Sequence, residues 1–200
     1  SLTGRQGSNY LDGGDGSDTL VVGEDVFGSV GNILIGGAGN DTLQARAFAD
    51  DNLFDGGPGD DILIGSGLRD SYRFNRGDGK DLITERQTAL GYRGDDVLLW
   101  GTGITPNDVT VARVLQPGCQ NDLLITVADG GDQITVRDWF ASTTSFSATE
   151  RRIEAVRFAD GTTWTGAAIS AQALFVSGSL GDDPLTGSDD DDVLHGLTGN

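Results

Sequence analysis

Methionine is absent from the 200 residues, and cysteine and histidine occur once each, as Cys119 and His195. A single cysteine closes no intrachain disulfide and builds no cysteine-rich zinc site. A single histidine excludes multi-histidine metal chemistry and leaves a histidine-dependent triad without support. Basic residues are also few. Thirteen Lys and Arg against 31 Asp and Glu leave a net charge of −18. Nucleic acids and anionic membranes need a basic footprint, so neither is expected as a partner, whereas cations are. No apolar run reaches the ~18–20 residues of a membrane span, and no signal peptide is visible at the N-terminus. The missing methionine leads to the expectation that this chain is cut from something longer. Hydrophobic residues make up 36% and aromatics 7%, enough for a folded chain with a lean core.

Glycine, by contrast, is abundant at 32 residues, with only four prolines beside it. That total stays below the ~25–30% Gly plus Pro of structureless low-complexity chains, so the glycines are read as positional. They are spaced by a repeat. Residues 13–21 (GGDGSDTLV), 36–44 (GGAGNDTLQ) and 56–64 (GGPGDDILI) all fit GGxGxDxUx, where U is large and apolar. A chain of this composition would contain GGxGxD about 0.1 times by chance. The nonapeptide resembles the calcium-binding repeat of RTX proteins, which stacks into a parallel β-helix.

Weaker copies supply a register. Taking U as the ruler gives Leu11, Leu20, Leu34, Leu43, Phe54, Leu63, Tyr72, Ile83 and Leu98, each nine residues or nine plus an insertion from the last. Each nonapeptide is then half a coil, a loop plus a short strand, and successive loops fall on opposite edges. One edge collects loops 13–18, 36–41, 56–61 and 76–81. The other collects 4–9, 27–32, 47–52, 65–70 and 91–96, none of which is a perfect copy. The reading is an asymmetric roll with one well-formed row of ion sites and one eroded row.

The slots have a chemical logic. Paired glycines let the backbone adopt positive φ and turn its carbonyls outward. The aspartate two residues before U adds a hard anionic oxygen, and U points inward to stack on the next coil. The candidate ligands on the first edge are Gly14, Gly16 and Asp18, then Gly37, Gly39 and Asp41, then Gly57, Gly59 and Asp61, then Gly77, Gly79 and Asp81. Oxygen donors without nitrogen or sulfur suit Ca²⁺, while Mg²⁺ insists on a compact octahedron. Several ions are expected, one between each pair of neighbouring loops. Without them, aspartates stacked ~5 Å apart repel by ~0.8 kcal/mol per pair at a dielectric of 80 and ~3 at 20. Glycine adds an ordering cost, so a largely disordered apo chain that folds on calcium is expected.

From Asp70 the texture changes to alternating apolar residues joined by turns. Leu123, Ile125 and Val127 alternate, as do Ile134 and Val136, and Ile153 to Phe158 reads as another strand. Thr105-Pro106 opens a single helical turn, and Thr165 to Leu174 reads as a short helix. The blocks DSYRF, GDGKD, ITVRDWF and FADGTTW resemble the "haemolysin-type calcium-binding protein related" region that follows RTX repeats. The resemblance covers roughly residues 70–165 and implies a non-repetitive cap on the open end of the roll. By the same resemblance, Asp70 and Asp81 carry over as calcium ligands at this end. Trp100, Trp139 and Trp164 serve either as cap core or as a carbohydrate platform. Cys119, in QPGCQND, is read as an unreactive surface thiol. Past an expected linker at Val176-Ser177, GSLGDDPLT and GSDDDDVLH put Asp183 and Asp192 in the ligand slot. The final GLTGN stops just before an expected aspartate, so a continuing chain is expected. His195 is read as a surface residue at a strand end.

The expected fold is all-β: a right-handed parallel β-roll over residues 1–84, a β-rich cap with a short helix over 85–175, and the start of a second repeat block over 176–200. What the resemblance implies is a monomeric, calcium-binding module of a larger secreted bacterial protein, exported by type I secretion and found outside the cell or at its surface. The alternative is an adhesin-like or polysaccharide-binding module with an extracellular glycan or cell-surface ligand. No enzyme is expected, because the abundant carboxylates already occupy repeat slots.

Overall fold

A computed structural model describes residues 1–23, 29–86, 95–114, 121–128, 131–141, 152–177 and 193–195, with backbone alone for 29–30, 175–177 and 193–195. The chain is mostly β. Glycine loops punctuate the strands of the repeats and keep them short, and the strands are rich in Leu, Ile, Val and Thr, which fit a pleated, half-buried surface. Through the repeats the longer strands alternate between two sheets, with Ser29–Val30 and Ala49–Asp50 forming a separate two-stranded pair. One runs in the order Leu2–Thr3, Thr19–Val22, Thr42–Ala45, Ile62–Ile64, Lys80–Thr84, Gln133–Val136, Leu123–Val127, Val109–Arg113. The other runs Thr163–Thr165, Ala155–Arg157, Val97–Trp100, Asp70–Phe74, Asn52–Asp55, Ile33–Ala38, Tyr10–Asp15. Pairing is parallel through the repeats, consistent with an RTX roll.

The U ruler holds residue by residue. Leu20 is the register partner of Leu43, Leu43 of Leu63, and Leu63 of Ile83. Across the other sheet, Leu11 pairs with Leu34, Leu34 with Phe54, Phe54 with Tyr72 and Tyr72 with Leu98. From Leu20 and Leu34 onward these side chains are buried in one cluster, each contributing roughly 1.5–3 kcal/mol. Phe54 and Tyr72 stack with ring centroids 5.1 Å apart.

Both sheets run past residue 84 in the same register. Ile83 pairs with Val136, and Leu98 with Val156, still in parallel. Only then does the polarity change: Leu123–Val127 lies antiparallel to both Gln133–Val136 and Val109–Arg113, and Thr163–Thr165 lies antiparallel to Ala155–Arg157. Antiparallel strands need no further crossover, so they can end a parallel stack. Pro106–Asp108 forms the expected helical turn, with Thr105 and Asp108 in a capping box. The helix Gly166–Ala173 begins at Thr165, whose hydroxyl accepts the Ala168 N–H at 3.2 Å. It buries Ile169 and Ala173, and its Ser170 hydroxyl accepts the Trp139 indole N–H at 2.9 Å.

The tryptophans are core. Trp139 is 0% and Trp100 4% exposed. Half-buried Trp164 meets Phe158 edge-on at 4.9 Å. The expected linker at Val176-Ser177 is instead part of a strand, Phe175–Ser177, paired in parallel with Val193–His195. Val176 is the partner of Leu194, 18 residues on, which equals two nonapeptides, so the repeat resumes here. Ser177 and Gly178 carry the composition of a spacer, but Phe175–Ser177 is extended and paired. Cys119, Asp183 and Asp192 lie outside the described residues, as does the side chain of His195.

Candidate metal centre

The aspartate slot, two residues before U, defines a line of side chains along each edge. On the first edge it holds Asp18, Asp41, Asp61 and Asp81. Each backbone N–H donates to the next carboxylate: Asp18 to Asp41 Oδ1 at 2.6 Å, Asp41 to Asp61 Oδ1 at 2.7 Å, and Asp61 to Asp81 Oδ1 at 3.0 Å. One oxygen each of Asp41, Asp61 and Asp81 thus fixes the preceding loop. Asp41 Oδ2 and Asp61 Oδ2 are buried without a hydrogen-bond partner.

Glycine keeps the space beside these oxygens open. A Cβ on Gly36 would lie 2.5 Å from both Asp41 Oδ2 and the Gly56 carbonyl oxygen. A Cβ on Gly56 would overlap Asp61 Oδ2. Gly37, at φ +105°, would drive a Cβ into the Gly14 carbonyl, and Gly57, at φ +86°, into the Gly37 carbonyl. Gly59 and Gly79 likewise press on the carbonyls of Gly39 and Gly59. Carbonyl and carboxylate oxygens thus face the space between loops, the donor set of a hard divalent cation. At Gly14, Gly16 and Gly77 a Cβ would meet nothing within 4 Å.

Burial without a counter-charge raises the acids. Burial, and after it the neighbouring carboxylates, lift Asp41 above the usual range, Asp61 to about 6 and Asp81 to about 8. A divalent cation in the orphaned positions reverses that penalty, since an opposite charge favours the ionised form. The residues present fit calcium.

The second edge is built differently. Its slot holds Asn9, Asn32 and Asn52, then Asp70, Asp96 and Glu154. The amides zip directly: Asn9 Nδ2 donates to Asn32 Oδ1 at 2.8 Å, Asn32 Nδ2 to Asn52 Oδ1 at 2.7 Å, and Asn52 Nδ2 to Asp70 Oδ1 at 2.6 Å. The eroded row of the sequence reading is thus an amide ladder over its first three loops. An amide carries both donor and acceptor, so it spans the gap without an ion. Asn recurring in one slot was the available signal.

Past Asn52 the second edge turns acidic. Asp70 Oδ2 accepts the Ser66 N–H at 2.6 Å and its hydroxyl at 3.0 Å. The Asp70 N–H donates to Asp96 Oδ1 at 2.8 Å, and the Asp96 N–H to Glu154 Oε2 at 2.7 Å. Asp70, Glu85 and Asp96 are all buried, and a ligand oxygen from each falls within 4.8 Å of the others. Tyr72 donates its phenol proton to Glu85 Oε1 at 2.5 Å. Burial lifts Asp70 to about 7, Asp96 to about 8 and Glu85 well above the carboxylate range. Asp70 was in the expected ligand set. Glu85 and Asp96 were not, because their convergence depends on the coil-to-coil register.

Family comparisons agree with this geometry. The RTX calcium-binding nonapeptide repeat matches residues 1–25, 27–63, 36–72 and 175–200. The haemolysin-type calcium binding protein related domain matches residues 122–168, within the expected cap. No curated protein matches the chain. Repeat and companion domain occur here in one molecule, with the repeat's aspartates aligned along one edge, and the chain belongs to the haemolysin-type RTX calcium-binding repeat proteins.

Proposed function

We propose that this module binds calcium in the three intervals between its four first-edge loops, and that the ions convert a self-repelling chain into a right-handed β-roll closed by the cap. Asp41, Asp61 and Asp81 supply carboxylates. The carbonyls of the facing loops, at Gly14, Gly16, Gly37, Gly39, Gly57, Gly59, Gly77 and Gly79, supply the remaining oxygens. The single observation that carries this reading is the pair of buried, unpartnered oxygens Asp41 Oδ2 and Asp61 Oδ2. Asp18 lines the first of these intervals. Asp70, joined by Glu85 and Asp96, is retained as a further calcium position on the second edge. Asp183 and Asp192 keep the same role in the second repeat block.

Extracellular calcium modules bind at about 0.1–1 mM, so ions are scarce in a cytosol and plentiful outside it. A module of this kind stays unfolded for passage through a type I secretion channel and folds outside, which supports a secreted, extracellular or cell-surface location. Among the described residues, no helix is long and apolar enough to cross a membrane. The three tryptophans that a carbohydrate platform would present face the core or lie half-buried against Phe158. The module acts by binding and folding rather than by catalysis, its carboxylates being held in ladder positions.

The decisive measurement is far-UV circular dichroism after chelation and again in millimolar Ca²⁺, with bound calcium counted by native mass spectrometry. Appearance of β signal together with three or more ions is expected. A spectrum indifferent to calcium overturns the proposal.

A further inference from the structure

Along the first edge, each loop hands its glycine N–H groups to the next. Gly16 donates to the Ala38 carbonyl at 2.7 Å, Gly37 to Gly56 at 3.0 Å, Gly39 to Pro58 at 2.9 Å, and Gly59 to Asp78 at 2.8 Å. Loop 76–81 is the last of the row. The strand that follows it in the sheet, Gln133–Val136, arrives by way of the cap, and the register partner of Asp81 there is Ile134. A fifth aspartate is therefore missing from the slot.

Asp132 fills the gap in another way. It is 2% exposed, and its Oδ2 accepts the Gly77 N–H at 2.8 Å while Oδ1 accepts the Gly79 N–H at 3.2 Å. These are the amides that a next loop's carbonyls would satisfy. The Asp132 backbone is held on both sides: its carbonyl accepts the Val127 N–H at 3.0 Å, and the adjacent Gln133 N–H donates to the Gly79 carbonyl at 2.8 Å. Arg76 ties the same loop to the cap through the carbonyls of Gly103 and Ala128.

We propose that Asp132 is a positioning residue for the last calcium site, one side chain standing in for a whole nonapeptide loop. It acts through Gly77 and Gly79, which sit at φ +88° and +94°, a conformation that a free glycine loop leaves readily. By holding both amides, Asp132 presets loop 76–81 so that Asp81 faces the interval with loop 56–61. Ile134 offers the row no further ligand, so the same position also ends it. This inference rests on the calcium reading of the first edge.

The test uses the whole chain, with calcium affinity measured by isothermal titration and amide protection by hydrogen exchange. Asp132→Ala is expected to weaken one calcium equilibrium about ten- to a hundredfold, the loss of two charge-assisted hydrogen bonds, and to leave the others unchanged. Asp132→Asn, which keeps one carbonyl oxygen and the side-chain volume, falls in between and carries the test if the alanine variant does not fold. In an Asp81→Asn background, which already lacks the last site's carboxylate, Asp132→Asn has no further effect on calcium. Protection drops at the Gly77 and Gly79 amides first. Wild-type affinity in the Asp132 variants, a uniform weakening of all ions, or an equal effect with and without Asp81 overturns the inference. A wild-type chain that binds no calcium instead sinks the calcium reading on which it rests.

Discussion

The Asp41 N–H donates to Asp61 Oδ1 at 2.7 Å, while the other oxygen of the same carboxylate is buried and bonded to nothing. One acid thus plays two parts, a fixed strut to the loop before it and an open ligand. An unpaired buried carboxylate is costly, and the cost vanishes when a cation takes the free position. Asp61→Asn keeps the shape and removes the charge. We expect this variant to bind one calcium fewer, or to need at least about tenfold more calcium to fold, when the far-UV signal is followed against free Ca²⁺.

The metal-free chain should fold better in mild acid than at neutral pH. Asp61 and Asp81 hold their protons up to about 6 and about 8 when folded, against 3.8 ordinarily. Folding therefore takes up protons between those values, and stability falls as pH rises. It is full below about 4 and falls progressively as pH rises, the Asp61 part being gone above about 6 and the Asp81 part above about 8. Chelated, desalted protein at pH 5 is expected to show more β signal than at pH 8, and saturating calcium removes the difference. A metal-free chain that gains structure toward alkaline pH contradicts the assignment.

Asn and Asp exchange should act oppositely on the two edges. Asn52 donates to Asp70 and to the Ala49 carbonyl, so Asn52→Asp removes both donors and buries a charge beside another acid. A loss of about 3 kcal/mol or more is expected in calcium-loaded urea unfolding. Asp41→Asn instead lowers repulsion in the metal-free chain, raising its residual structure while weakening calcium binding. Similar outcomes for the two swaps refute the division of labour between edges.

Gly57→Ala is a backbone test. The new methyl collides with the Gly37 carbonyl at a φ of +86°. A cost of about 1–3 kcal/mol is expected from the conformation alone, and more from the overlap. Calcium-dependent thermal unfolding measures it. Gly77→Ala, with the same conformation but open space around the methyl, should cost less.

Legibility in the sequence followed how local each signal was. The nonapeptide writes strand, loop and inward residue within nine positions, so Leu20, Leu34, Leu43 and their successors could be placed on two edges from spacing alone. Thr105-Pro106 and Thr165 likewise carry their caps within a few residues. Contacts made through stacking were harder. The amide ladder needs Asn9, Asn32 and Asn52 to be compared across coils, and a search for carboxylates passes over them. Asp132 and Glu154 reach their partners from more than fifty residues away, joined by strands whose register no local motif records. At Val176-Ser177 the sequence signals a linker where a strand stands, since Phe175 and Val176 lack the glycine loop that announces the other strands.

Among the described residues the parallel strands of each coil pair with those of the coils on either side, and the row ends at Asp132 and Ile134. Length is thereby separated from termination. A genetic duplication of one twenty-residue unit upstream would extend the ion column by a single rung and leave the stop intact, so arrays of this architecture can grow or shrink in evolution without redesign of the part that finishes them.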